Sequence, residues 1–145
     1  MIQTKTPKYL SFLVLLFVLP ALLVACAKKP DTSLAPLDQM PDDVKNAPLK
    51  VQQAYQFAIA NPQIMQQIPC YCGCGKIGHK SNYACYVSGV DAGGKVNFDT
   101  HALGCSICVD ITQDTMRLLK EGKSVPEIKA YVDQTYAKYG PSNMP

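Results

Sequence analysis

The sequence predicts a small, single, mainly α-helical domain that is held together by a cluster of cysteines and histidines. Apolar residues recur at helical spacing over residues 48–60 and again in the last third of the chain. Between these segments, residues 70–104 contain seven glycines and four cysteines and have no helical period. A stretch of this composition has too few large apolar side chains to stay ordered by itself, so we expect cross-links to hold it in place.

The first twenty-five residues have the layout of a secretory signal peptide. Lys5 and Lys8 form a short basic region, an unbroken apolar run follows over residues 10–25, and Cys26 comes directly after it. An apolar run of this length is also compatible with a transmembrane anchor. The signal peptide is favoured because the run stops at a cysteine and a Lys-Lys-Pro turn.

The end of this run, Leu23-Val24-Ala25-Cys26, resembles the lipobox of bacterial lipoproteins. That resemblance implies that Cys26 is lipidated, for example with palmitate, and becomes the new N-terminus. Acyl chains on Cys26 would hold the protein on the extracytoplasmic face of the cell membrane, with membrane lipid as its partner. Residues 26–47 are rich in proline and aspartate and lack sustained periodicity, which predicts a flexible tether.

The folded, cysteine-rich helical domain is predicted from residue 48 to residue 145. Its first helix covers residues 48–60 and ends at Asn61-Pro62, and one further turn precedes Pro69. Within the glycine-rich stretch, the segments 83–90 and 95–98 flank an Asp-Ala-Gly-Gly turn, which predicts a short β-hairpin.

An antiparallel helical hairpin is predicted for the last third of the chain. One helix follows Cys105 and ends at Gly122, the expected C-cap. Ser124 is the predicted N-cap of the second helix, and Glu127 completes a capping box. The predicted apolar stripe of this second helix consists of Val125, Ile128, Val132, Thr135 and Tyr139.

Six cysteines remain apart from Cys26, and both histidines of the chain lie among them. An even number in an exported domain is compatible with three disulfides. Disulfides within a Cys-x-Cys unit are strained, so three bridges would have to fan out from five consecutive residues. A metal site explains the spacing better, with Gly73 and Gly75 expected at positive φ. The candidate ligands are Cys70, Cys72, Cys74, His79, Cys85, His101, Cys105 and Cys108.

Eight ligands equal two four-coordinate sites, or one site with thiols to spare. Cys105 and Cys108 have the spacing of half a tetrahedral site at a helix N-terminus, which favours thiolate. Thiolate-rich sites suit Zn²⁺ and Cu(I), and we take Zn²⁺ as the favoured ion and Cu(I) as the alternative. Zinc would contribute directly to folding, whereas Cu(I) would imply a carrier or storage role.

Composition argues against two other classes of function. The chain has 14 Lys and Arg against 11 Asp and Glu, a net charge of +3, and no basic run that would bind nucleic acid. The serines lack an evident base and acid, and Gly122-Lys123-Ser124 follows a predicted helix instead of opening one after a strand. Binding is therefore predicted ahead of catalysis.

Two segments, PCYCGCGKIGHKSNYACYV and HALGCSICVDI, resemble the bacterial lipoproteins that are named after their PCYCGC motif. The resemblance extends over residues from about 50 to 140. It implies an exported, membrane-anchored protein whose signature positions are the eight candidate ligands, and it implies neither a reaction nor a particular metal.

A weaker resemblance concerns residues 105–140, which are similar to the thiol-reductase subunits of cytochrome c maturation. Those proteins place a CxxC ahead of a helical hairpin with a Gly-Lys-Ser-x-x-Glu-Ile turn. The resemblance implies that Cys105 and Cys108 form a redox pair, with Cys105 as the attacking thiol and a membrane-associated thiol-redox partner. Gly104 departs from the pattern, because those proteins have an arginine at this position. A metal-handling partner is expected if the cysteines bind metal instead.

Overall fold

The computed structural model describes residues 32–144; the predicted signal peptide and the predicted lipid anchor Cys26 lie outside these residues. The predicted mainly α-helical class is confirmed. The helices and strands of the described part are α1 (Asp42–Lys45), α2 (Leu49–Ala60), α3 (Pro62–Met65), β1 (Val87–Val90), β2 (Val96–Phe98), α4 (Ser106–Lys120) and α5 (Val125–Tyr136). Within residues 32–144, no helix is both long and apolar enough to cross a membrane.

Helix α2 packs against α4. Its buried residues include Tyr55 and Phe57, which are completely inaccessible to solvent. Pro48 precedes its first residue, and Asn61 ends it because Pro62 opens the single-turn helix α3. The predicted helix and the predicted extra turn are therefore confirmed.

Helices α4 and α5 form the predicted hairpin. Gly122 follows the end of α4 at a φ of 84°, a left-handed conformation that glycine adopts without strain. The capping box at Ser124 is present, since the Ser124 backbone N–H donates to Glu127 Oε2 at 2.8 Å. The stripe of α5 differs from the prediction at its end, where Tyr136 is buried and Tyr139 is 53% exposed. The α-helical period stops at Tyr136 and a 3₁₀ turn follows, so Tyr139 leaves the buried face.

The predicted β-hairpin is confirmed as an antiparallel pair of β1 and β2, with Val90 opposite Val96. An irregularity in register lies between Val87 and Gly89. The connecting turn is held by the carboxylate of Asp91, which accepts hydrogen bonds from two backbone N–H groups of the turn.

The structure corrects the predicted tether over residues 26–47 in its second half. Ala35, Met40 and Val44 are buried, and Ala35 forms two hydrogen bonds with Gln56 of α2. These three apolar residues show no helical period, because prolines interrupt the segment and the short helix α1 contains only one of them. The packed domain therefore starts near Ala35, earlier than the predicted boundary at residue 48.

Candidate metal centre

The PCYCGC segment, residues 69–74, is fixed by contacts with two other parts of the chain. Tyr71 donates a hydrogen bond of 2.6 Å from its hydroxyl to Asp133 Oδ1 on α5. Cys70 pairs with Asn143 near the C-terminus: its N–H donates to Asn143 Oδ1 at 2.7 Å, and its carbonyl accepts from Asn143 N at 3.0 Å. The motif is thus held between helix α5 and the C-terminal segment.

A tight turn after Cys72 brings the three neighbouring thiols together. Gly73 has a φ of 84° and opens a 3₁₀ turn over Cys74–Ile77, and Gly78 closes it at a φ of 93°. The positive φ predicted for Gly73 is confirmed, whereas the one predicted for Gly75 is wrong because Gly75 lies inside the turn. The sulfur atoms of Cys70, Cys72 and Cys74 consequently lie within 4.8 Å of one another.

Cys105 and Cys108 come from the start of α4, where a buried polar network fixes the first turn. The carbonyl of Cys108 accepts hydrogen bonds from Tyr86 Oη at 2.9 Å, Thr112 Oγ1 at 3.1 Å and Asn82 Nδ2 at 3.3 Å. All three donors are buried. Hydrogen bonds from the segment before the β-hairpin and from α4 itself therefore hold this carbonyl in place. They also fix the position of the Cys108 residue that carries the thiol.

Both histidines approach the thiols, and Asp99 contacts both of them. The carboxylate of Asp99 accepts a hydrogen bond from the His101 backbone N–H at 2.8 Å, and its other oxygen lies 3.5 Å from His79 Nε2. The His101 Nε2 atom lies 3.3 Å from Cys72 Sγ. Among the described residues, His79 Nδ1 is buried and finds no hydrogen-bond partner. A buried nitrogen without a partner fits a role as metal ligand, with the opposite nitrogen held by a carboxylate.

The structure brings all eight predicted ligands into one cluster. Two groups of four have ligand atoms that all lie within 4.8 Å of one another, and His101 belongs to both groups. Cys70 joins two further groups of three thiols. The groups of four are Cys72, His101, Cys105 and Cys108, and Cys74, His79, Cys85 and His101.

Sulfur–sulfur distances in the cluster are close to those between two thiolate ligands of one metal ion. Cys70 Sγ lies 3.4 Å from Cys72 Sγ and 3.5 Å from Cys108 Sγ, and Cys74 Sγ lies 3.7 Å from Cys85 Sγ. Two sulfurs on one tetrahedral ion with metal–sulfur bonds of about 2.3 Å are separated by about 3.8 Å. A disulfide bond is far shorter, at about 2.05 Å. The six cysteines from Cys70 to Cys108 are all free thiols.

The thiols influence one another's ionisation. Hydrogen bonding from Cys108 to Cys70 lowers the pKa of Cys70 well below that of a free thiol. Burial raises the pKa of Cys72 and Cys74 above the ordinary value. In the metal-free cluster, Cys72 and Cys74 therefore hold their protons more firmly than a free thiol does. Six sulfurs and two imidazole nitrogens form a donor set that fits a thiophilic metal ion.

Several residues that help to build the centre were not predicted from the sequence. Asp99 precedes His101 by two positions, and a carboxylate this close to a candidate metal-binding histidine is a usable signal. Asn143 gives no such signal, because its contact with Cys70 joins residues 73 positions apart. The same applies to Thr112, whose side chain lies on the buried face of α4 among apolar neighbours.

A family model described as a protein of unknown function with PCYCGC motif matches residues 19–145. The chain belongs to this family. Membership in the PCYCGC family confirms the stronger of the two resemblances and assigns no activity. No curated protein and no solved structure matches the chain. The resemblance of residues 105–140 to thiol-reductase subunits of cytochrome c maturation therefore has no support from these comparisons.

Proposed function

We propose that this PCYCGC-family protein binds a thiophilic transition-metal ion while it is anchored by lipid to the outer face of the cell membrane. Zn²⁺ is the favoured ion and Cu(I) the alternative. One observation carries the metal-binding part of the proposal: eight ligand atoms from separate parts of the chain, six sulfurs and two imidazole nitrogens, converge in one cluster.

The composition of the two groups of four favours zinc. One contains three cysteines and one histidine, and the other contains two of each. Both combinations are common in tetrahedral structural zinc sites. Tetrahedral sites of sulfur and nitrogen are less suited to metals that prefer oxygen ligands, which argues against Mg²⁺ or Ca²⁺.

Exposure of the ligands indicates where the ion would enter and leave. Cys70, Cys85 and Cys108 are fully buried, whereas Cys72 and Cys105 are half-buried. A membrane-associated metal-handling partner would meet the cluster at these two thiols. The reading of Cys105 and Cys108 as an isolated redox pair is disfavoured, because Cys108 Sγ lies 3.5 Å from Cys70 Sγ and 3.6 Å from Cys72 Sγ.

The lipid anchor rests on the apolar run and on Cys26, as argued from the sequence. Ala35, the first buried residue of the described domain, follows Cys26 by nine positions. A chain of nine residues spans at most about 30 Å when fully extended. A chain anchored at Cys26 would therefore keep the metal-binding domain close to the membrane surface.

Elemental analysis of the full chain purified from membranes tests metal binding. We expect bound zinc or copper in the wild type, and less metal in a Cys85→Ser variant, which loses a buried ligand. Ala84→Ser is the matched control, since it adds the same hydroxyl group beside an intact ligand set. Wild-type protein without metal, whose six cysteines are all blocked to thiol reagents until reduced, would overturn the proposal in favour of a disulfide-linked domain.

The anchor is tested separately with a Cys26→Ser variant in cells fed a labelled fatty acid. We expect the wild type to carry the label and to fractionate with membranes, and the variant to lose the label. Equal labelling of both proteins would refute lipidation at Cys26 without affecting the metal-binding part of the proposal.

A further inference from the structure

We infer that the cluster holds two metal ions at adjacent positions, an inference that rests on the proposed function. Each position has three ligands of its own, and two more ligands, Cys70 and His101, lie between the positions. The first position has Cys72, Cys105 and Cys108, and the second has Cys74, His79 and Cys85.

The first step in the argument is the number of ligands. A tetrahedral ion takes four ligands, so a single ion would leave four of the eight unused inside the protein. The two groups of four overlap only at His101, and the three remaining members of each group are different residues. Two separate sets of converging ligand atoms are more than one ion requires.

Cys70 supplies the eighth ligand. Its sulfur is grouped with Cys72 and Cys108 of the first position and with Cys74 and Cys85 of the second, always within 4.8 Å. If His101 completes one position, Cys70 is available to complete the other. The outcome is either two Cys₃His sites, or one Cys₄ and one Cys₂His₂ site, and each of these is an established zinc coordination type.

The second position has independent support from His79. Its Nδ1 atom is buried without a hydrogen-bond partner among the described residues, and its Nε2 atom faces the carboxylate of Asp99. An ion at the first position alone would leave this nitrogen unsatisfied, which is costly for a buried polar atom. An ion bound by Cys74, Cys85 and His79 would satisfy it.

Charge favours divalent ions at both positions. Six cysteines that coordinate metal as thiolates would carry six negative charges in a largely buried cluster, and uncompensated buried charge is strongly destabilising. Two Zn²⁺ ions would offset four of these charges, whereas two Cu(I) ions would offset two. The ligand class that fits the two positions best is therefore a thiophilic divalent cation.

Native mass spectrometry of the full chain, loaded with Zn²⁺ and freed of excess metal, counts the ions directly. We expect two ions in the wild type and one in each of two variants, Cys105→Ser for the first position and His79→Ala for the second. Ser106→Ala and Lys80→Ala change exposed neighbours of these ligands and should retain two ions. One ion at saturation in the wild type would overturn the inference and leave the proposed function intact, whereas no bound ion would overturn both.

Cadmium NMR gives a second test that does not depend on the folding of any variant. Wild-type protein loaded with ¹¹³Cd²⁺ should show two resonances of equal intensity in the range of sulfur-rich coordination. A single resonance from a protein that binds one cadmium ion would contradict the two-ion arrangement. The chemical shifts would also separate a pair of Cys₃His sites, which should lie close together, from a Cys₄ and Cys₂His₂ pair, which should lie far apart.

Discussion

At the scale of single residues, Asp99 explains how two histidines from a glycine-rich segment acquire fixed orientations. One carboxylate oxygen accepts from the His101 backbone N–H, and the other faces His79 Nε2. A carboxylate at this nitrogen favours the tautomer with a proton on Nε2 and leaves the lone pair of Nδ1 free for a metal ion. Asp99 is thus a positioning residue that acts through His79.

We predict that Asp99→Asn weakens zinc affinity by about 10- to 100-fold while the fold is retained. An asparagine that still accepts the hydrogen bond from the His101 N–H turns its NH₂ group toward His79 Nε2. This favours the tautomer with the proton on Nδ1, which leaves no lone pair on Nδ1 for a metal ion. Competition with a chromophoric chelator measures the affinity, and Asp43→Asn, at an exposed position in α1, is the control. Unchanged affinity in Asp99→Asn would show that Asp99 has no part in orienting the ligand.

Metal affinity should rise with pH. Burial raises the pKa of the Cys72 and Cys74 thiols, so both carry protons in the metal-free protein at neutral pH. Metal must displace these protons, and affinity therefore increases as their concentration falls. Chelator competition at about pH 6, 7 and 8 should show tighter binding at each step, with proton release detectable by calorimetry in buffers of different ionisation enthalpy. An affinity independent of pH over this range would argue against thiolate coordination.

At the scale of elements, a buried polar network constrains the start of α4. Tyr86 and Asn82 lie in the segment before the β-hairpin, and both donate hydrogen bonds to the carbonyl of Cys108. Both also contact Thr112 Oγ1, Tyr86 at 2.7 Å and Asn82 at 2.9 Å. Tyr86 also packs edge-on against Tyr55 of α2 at a ring-centroid distance of 4.9 Å. The network thereby joins α2, α4 and the cysteine-rich segment beside one metal ligand.

Thr112→Val should destabilise the protein by about 1–3 kcal/mol, because it removes a buried hydroxyl that Asn82 and Tyr86 both contact. Thr115→Val is the matched control on the same helix. The hydroxyl of Thr115 is also buried but donates within its own helix, to the Ile111 carbonyl, so its loss should cost less. Denaturant unfolding of both variants checks the difference. Equal losses would show that the network around Cys108 adds no stability.

The segment before α2 offers a further test, because its packing was not predicted. Met40 is 2% exposed, so Met40→Ala should destabilise the domain by about 2–5 kcal/mol. Leu49→Ala, at a position that is 66% exposed, should change stability much less. Thermal unfolding measures both. Two variants of equal stability would indicate that residues 35–47 behave as the tether that the sequence predicted.

The elements that were predicted correctly are those whose signals are local. Periodicity, Pro62, Gly122 and the capping box at Ser124 define the long helices, and each acts within a few residues along the chain. Met40 and Asn143 could not be placed this way, since each acts through contacts that are distant in sequence. The eight ligands were found because their chemistry is unusual at this density. The position of Asp99 two residues before His101 is visible in the sequence, whereas its contact with His79 appears only in the fold.

At the scale of the whole molecule, the cluster connects parts of the chain that are distant in sequence. Its ligands extend from Cys70 to Cys108, and Asn143 donates from its side chain to Cys74 Sγ at 3.5 Å. Bound metal would therefore join the motif loop, the β-hairpin segment and the start of the helical hairpin. Because such a site is not preformed in an unfolded chain, metal binding contributes to the free energy of folding.

X-ray absorption spectroscopy at the edge of the metal that copurifies with the full chain tests the central claim most directly. For zinc, the account predicts a sulfur shell at about 2.3 Å and a nitrogen shell at about 2.0–2.1 Å, in a ratio of about three to one. That ratio follows from the six thiols and two imidazoles of the cluster. A shell of oxygen and nitrogen without sulfur would place the metal elsewhere on the protein and would contradict the account.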